Sequence, residues 1–176
     1  MSYADVGGLR IWYEEHGAGK PLVLLHGEYG STETFAPVRP ALATRRRLIA
    51  VDLQGHGRTA DVDRPLRYES MADDVAALLR HLGLPRADVL GYSLGGGVAL
   101  RTAIQHPDLV RRLVLVSTPV RRRGWYPETL AAMSAHDERG APRRRGPPLP
   151  VRDARLAPRP QDWLALGARG GALLRR

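Results

Sequence analysis

The feature that most constrains this chain is a recurring pair: a short, continuous apolar run that stops at a polar or glycine-rich loop, followed by a segment with helical periodicity. Leu22–Leu25 stops at His26-Gly27, Leu48–Val51 stops at Asp52, the run in "ADVLGYS" stops at Gly91 to Ser93, and Leu113–Val116 stops before "STP". Continuous runs of this length suit strands buried on both faces. Between them, "STETFAPVRPALATR" offers Ser31 or Thr32 as an N-cap and Phe35, Val38 and Leu42 as an apolar stripe, so a helix is expected despite Pro37 and Pro40. In "YESMADDVAALLRHLGL" a helix opened by Ser70 or Glu69 lines Met71, Val75, Leu78, Leu79 and Leu82 along one face and closes at Gly83. "LGGGVALRTAIQHP" reads as a helix that stops before Pro107, and Leu9 to Gly17 as a leading ribbon strand. Alternation at this spacing predicts an α/β fold, a mostly parallel sheet with flanking helices. Ligands of such sheets bind beyond the carboxyl ends of the strands, where the three loops at His26-Gly27, Asp52 and Gly91–Gly95 meet.

The 176 residues are 43% apolar and 26% charged, enough for one domain with a sizeable core. No run approaches the length of a membrane span, and "MSYADVGGLRIWYEEHG" lacks the layout of a secretory signal, so a soluble, cytoplasmic protein without a membrane partner is expected. The absence of cysteine excludes disulfides, thiolate nucleophiles and Cys-based metal sites. The net charge of +9 is uneven: residues 1–120 hold 14 basic against 13 acidic side chains, residues 121–176 hold 13 against 5. In that second stretch prolines interrupt the arginines and no aromatics alternate with them to stack bases. A solvated, poorly ordered segment is expected there rather than a specific nucleic-acid arm. "WYPETLAAMSAH", with Trp125, Leu130 and Met133, reads as a further weak helix.

Gly91-Tyr92-Ser93-Leu94-Gly95 is a G-x-S-x-G sequence between a strand and a helix. In that context the turn is so tight that the serine takes a strained backbone, glycines two before and two after it let strand and helix approach, and the hydroxyl projects above the sheet. The start of the following helix then offers N–H groups and a positive dipole end to a developing oxyanion. "GYSLGG" has neither the spacing of G-x-G-x-x-G nor the Lys-Ser/Thr pair of a phosphate-binding loop.

"LLHGEYGSTETFAPVRPALA", "VDLQGHGRT" and "VLGYSLGGGVALRTAIQHPDLVRRLVLVSTP", in that order, resemble the successive motifs of the α/β-hydrolase superfamily in its serine esterase/lipase-like branch, over roughly residues 8–120. The resemblance implies a serine hydrolase acting on carboxylic esters or similar small acyl compounds, with no metal and no organic cofactor. It makes Ser93 the nucleophile, and gives the oxyanion the backbone N–H groups of Leu94 and Glu28. His26 and Gly27 would support the oxyanion loop, His26 ordering it rather than acting as a base. A carboxylate at Glu28 departs from the small or apolar residues usual there. "DLQGHGRT" resembles the family's D-x-x-G-x-G-x-S loop with Thr59 in place of serine, which makes Asp52, His56 and Arg58 structural. A serine at position 93 argues against the dehalogenase and epoxide-hydrolase branches, whose nucleophile is aspartate.

In this fold the acid and then the histidine follow the serine in the chain. After Ser93 the histidines are His106 and His136. His106 ends the helix that begins at the serine, and three turns already carry it about 15 Å away. His136 sits in "MSAHDERG" beside Asp137 with no strand before it, and no carboxylate follows the sixth strand until Glu128. The expectation is therefore the N-terminal part of an α/β-hydrolase core over residues 1–120, truncated after the sixth strand, then a basic, Pro/Arg-rich, partly lid-like segment over 121–176 in which about 137–158 read as a frame slip. The alternative is a catalytically inactive fragment or a binding protein that lacks the acid and base. With nothing of strand type after Leu113–Val116, that edge is expected to be open to self-association.

Overall fold

The structure is a computed structural model that describes residues 2–121, 124, 126–128 and 131. Six strands form one sheet: β1 (Ser2–Val6), β2 (Leu9–His16), β3 (Lys20–Leu25), β4 (Arg46–Val51), β5 (Ala87–Tyr92) and β6 (Val110–Val116), in the spatial order β1-β2-β4-β3-β5-β6. The β1–β2 and β2–β4 pairs are antiparallel, while β4, β3, β5 and β6 run parallel. The mostly parallel α/β fold expected from the runs is what the chain adopts.

The runs of β3, β4 and β5 are apolar because both of their faces are covered, whereas in β6 Val114 stays exposed. Successive side chains of a strand point to opposite faces, and here Val23, Leu25, Ile49, Val51 and Val89 join a core with the helices α2 (Tyr68–His81) and α3 (Leu94–Gln105). Their alternates Leu22, Leu24, Leu48 and Ala50 pack with Phe35 and Leu42 beneath α1 (Arg39–Ala43) on the other face.

Three elements differ from the sequence expectation. The single helix drawn from Ser31 onward is two pieces, a 3₁₀ turn at Thr32–Phe35 and the five-residue α1. Pro37 has no N–H to give and Pro40 sits in the first turn of α1, a place that tolerates it, so the chain breaks between them. Ser31 does cap the 3₁₀ turn, its side chain accepting from the Glu33 N–H. Helix α2 opens at Tyr68 rather than at Glu69 or Ser70, with Arg67 extended before it and no side-chain cap. It closes as expected: Gly83 takes φ 64° and the N–H groups of Gly83 and Leu84 return to the carbonyls of Arg80 and Leu79, the Schellman arrangement. The third difference is β1, absent from the sequence reading, which pairs with β2 across the Gly7-Gly8 turn. Leu113–Val116 was the core of a longer strand, Val110–Val116, which among the described residues pairs on one side only, with β5. Of the helix expected over "WYPETLAAMSAH", Pro127, Glu128 and Ala131 are helical, while Trp125, Leu130, Met133 and His136 lie outside the described residues, as do the expectations for residues beyond 131. Among the described residues no helix is long and apolar enough to cross a membrane.

Candidate active site

The parallel strands bring the ends of β3, β4 and β5 to one rim: Leu25 lies beside Val51 on one side and Gly91 on the other. The chain leaves β3 toward α1 on one face and leaves β5 toward α3 on the opposite face, so a crevice opens between those two loops. In open α/β sheets this reversal of direction is where ligands sit.

Ser93 occupies the joint between β5 and α3 with φ 51° and ψ −115°, a conformation that a side-chain-bearing residue rarely adopts. Such a residue stores about 1–3 kcal/mol and persists only where its surroundings hold it. Its N–H donates to the Val116 carbonyl at 2.9 Å, its carbonyl accepts from the Gly96 N–H at 2.9 Å, and the Thr118 hydroxyl lies 3.1 Å from the same carbonyl. The glycines on either side are obligatory by contact. A Cβ at Gly91 would meet the Gly95 carbonyl at 2.2 Å, and one at Gly95 would meet the Leu25 carbonyl at 2.2 Å. Ser93 itself is exposed, as a residue projecting from the rim must be.

The loop after β3 lies directly against this joint. A Cβ at Gly27 would fall 3.0 Å from the Tyr92 ring and 3.3 Å from the Ser93 Cβ. Gly27 to Gly30 form a turn closed by the Gly30 N–H on the Gly27 carbonyl, with Tyr29 at φ 58° in the third place, the dihedral pattern of a type II turn. That bond leaves the Glu28 N–H outside the turn, and Glu28 itself is exposed. On the other side, the first residues of a helix carry N–H groups without intrahelical acceptors, and Leu94 is the first residue of α3.

His26 is fully buried, and both ring nitrogens are engaged: Nδ1 lies 2.7 Å from the Gly27 carbonyl and Nε2 accepts from the Leu53 N–H at 3.1 Å. Since a backbone N–H can only donate, Nε2 is the bare nitrogen and Nδ1 carries the hydrogen. Burial pushes the pKa of this imidazole down to about 4, so it is neutral at pH 7, a strut between the loops after β3 and β4. Asp52 is likewise buried and accepts from the N–H groups of Thr32 at 2.6 Å and Arg58 at 2.8 Å. Burial raises its pKa, against the pull of those two donors. Thr59 bridges the loop to β2, its hydroxyl donating to the Asp52 carbonyl and accepting from the Trp12 N–H. His56 lies against His26, ring centres 5.2 Å apart, with Nδ1 2.8 Å from the Gln54 carbonyl. Arg58 reaches toward the buried Glu14, 3.6 Å away, which Arg39 also holds at 3.1 Å.

The structure thus brings Ser93, Leu94, His26, Gly27 and Glu28 together, and makes Asp52, His56, Arg58 and Thr59 parts of the loop beside them. It does not bring His106 to Ser93; that imidazole is 2.8 Å from Asp73 at the far end of α3. Among the described residues no imidazole or carboxylate hydrogen-bonds the Ser93 hydroxyl. Tyr68 was missed by sequence reasoning: its ring edge fills the space over Gly97, where a Cβ would meet Cε1 at 2.4 Å. No local pattern announces a contact between residues 29 positions apart.

Residues 20–169 match the alpha/beta hydrolase fold family. The chain is 36% identical over 137 residues to the sn-1-specific diacylglycerol lipase ABHD11 of Xenopus laevis, covering 74% of this chain and 44% of that protein. Two solved structures are also similar. Epoxide hydrolase CorEH has 36% identity and a TM-score of 0.68, covering 76% of this chain and 48% of that one. A thermophilic esterase from Thermogutta terrifontis has 29% identity and a TM-score of 0.70, covering 79% and 53%. The chain spans less than half the length of such curated relatives. With the sheet order, the joint at Ser93 and these likenesses together, the chain belongs to the α/β-hydrolase fold family.

Proposed function

We propose that this chain carries the nucleophile and oxyanion hole of a serine hydrolase that cleaves carboxylic esters or similar acyl compounds. The observation that carries the reading is the positive φ of Ser93, 51°, at an exposed strand-to-helix joint with Gly27 against its Cβ. The Ser93 Oγ would attack the acyl carbon, its proton passing to a base, and the carbonyl oxygen would become the oxyanion facing the N–H groups of Leu94 and Glu28. Expulsion of the alcohol, which takes up a proton, leaves the acyl group on Oγ; water then releases the acid and restores the serine. The relatives named as lipase and esterase support an ester substrate. A serine at position 93, where the epoxide-hydrolase branch has aspartate, weighs against epoxide opening.

Phenylboronic acid tests the nucleophile without calling on a base. Its boron takes up Oγ, the hydroxyl proton leaves to the buffer, and the anionic tetrahedral adduct mimics the transition state. One-to-one binding by calorimetry is expected for the full chain and should disappear in Ser93→Ala; equal binding by both proteins would overturn the reading.

A second reading, binding without turnover, is favoured by one observation: no base among the described residues reaches Ser93. On that reading the 176-residue chain is expected to hydrolyse p-nitrophenyl acetate no faster than Ser93→Ala, since a serine without a base keeps only the residual acceleration of binding and oxyanion stabilisation. A Ser93-dependent burst of nitrophenol would place a base within reach and make His136 the first residue to replace.

A further inference from the structure

The residue that departs from the family pattern, Glu28, has a consequence for which substrates the site accepts. Its backbone and Ser93 flank the place where the oxyanion would form, yet its side chain is a carboxylate. It makes no ion pair among the described residues and is exposed beside the loop that touches the Ser93 Cβ. Aromatic rings stand with it. Tyr29, the next residue, is 81% exposed and held at a positive φ by the turn. Tyr68 is half exposed and rests on Gly97, one turn into the helix that starts at the nucleophile. Burial chiefly, and then the Glu28 charge, push the Tyr68 phenol up, so the carboxylate and this ring share one electrostatic neighbourhood.

A negative side chain beside an oxyanion hole is a handicap for a neutral substrate, because carboxylate and oxyanion repel as the transition state forms. A substrate with a positive charge reverses the balance. A cation between the two negative groups is attracted to both, and phenol faces add cation–π attraction to an ammonium or guanidinium. We propose that this site selects acyl substrates carrying a cationic group close to the scissile carbonyl, with Glu28 as the charge partner and Tyr68 as the aromatic wall. The inference rests on the reading of Ser93 and the Glu28 N–H given above and adds the substrate class to it.

Two boronic acids of nearly equal shape test it, 3-(trimethylammonio)phenylboronic acid and 3-tert-butylphenylboronic acid, which differ in charge. Because the ammonium group also alters boron's own acidity, the quantity that decides is the ratio of the two affinities, compared between the full-length protein and its Glu28→Gln variant. The ratio is expected to favour the cation about tenfold more in the unmodified protein, the size of an exposed unit charge a few ångströms away. Glu28→Gln should weaken the cationic compound and strengthen the neutral one, and Tyr68→Leu should weaken the cationic one alone. In the unmodified protein the preference should shrink as ionic strength rises from about 0.02 to 0.5 M, a reading that needs no variant to fold. A ratio that neither Glu28→Gln nor salt changes would overturn the inference. If both compounds still required Ser93, the nucleophile reading would stand without it. Failure of either compound to bind in a Ser93-dependent way would overturn both.

Discussion

His26 shows how a residue with a reactive side chain is turned into scaffold. Both of its nitrogens are spent on backbone groups, and its pKa near 4 keeps it uncharged through the physiological range. An unfolded histidine titrates near 6.5. Between those values the unfolded chain binds a proton that the folded chain refuses, so the stability His26 supports is fully present above about pH 6.5 and is lost as pH falls toward 4. Lowering pH from 7.5 to 5.5 should remove about 1 kcal/mol on this account. Asp52 and Asp74, both raised by burial, act the other way, taking up protons first in the folded state. Glu14 adds to the loss at still lower pH: burial would raise it, but His16 and Arg39 together hold it below the ordinary value. Urea unfolding of the protein and of His26→Gln at pH 7.5 and 5.5 isolates the histidine. The variant should be less stable at pH 7.5, because Gly27 and Leu53 lose their partner, and should lack this part of the acid loss. An identical pH dependence in the two proteins would show that His26 is not held neutral.

At the scale of elements, two glycines separate backbone conformation from packing. Gly83 ends α2 at φ 64° with nothing within 4 Å of a built Cβ, so Gly83→Ala should cost only the left-handed backbone, about 1 kcal/mol. Gly95→Ala pushes a methyl into the Leu25 carbonyl at 2.2 Å and should cost about 3 kcal/mol, since strand and helix must separate. Chemical unfolding of both variants measures the contrast, and equal midpoints would mean that the joint is looser than described. The same distinction explains what was readable in the chain. Strands β3 to β5 announce themselves because being covered on both faces demands an unbroken apolar run, and α2 because covering one face demands a stripe; β6 carries such a run although Val114 is exposed. The break at Pro37 is also written there, against the helical periodicity of Phe35, Val38 and Leu42. Strand β1 is legible in the alternation before Gly7-Gly8, where Ala4 and Val6 are buried and their neighbours are not. Tyr68 over Gly97 was not legible, since only the packing of α2 against α3 brings the two together.

For the whole molecule, the same limit divides the candidate site. The proposed nucleophile Ser93, the N–H donors proposed for it at Leu94 and Glu28, and the neighbouring His26 and Gly27 belong to local motifs, each set by a strand and the turn that follows, so these five residues could be named from sequence. An acid and a base come from loops whose distance along the chain from the serine is set by the tertiary fold, and no spacing rule finds them. Charge divides the molecule as well. In the described part many arginines are already engaged: Arg46 and Arg111 on the buried Asp88, Arg39 on Glu14, Arg64 on Asp74. Nearly all of the +9 excess therefore belongs to residues 121–176. Arginines interrupted by prolines attract a polyanion by charge alone, and counterion release makes such binding fall steeply with salt. Fluorescence anisotropy with two duplexes of unrelated sequence should give equal, weak binding at low salt, gone by about 0.2 M. Base readout would look different, because contacts to base edges survive salt that displaces phosphate contacts and distinguish one duplex from the other. Tight binding to one duplex at physiological salt would mean that this segment reads nucleic acid, and the chain would need a second function beside the one proposed for Ser93.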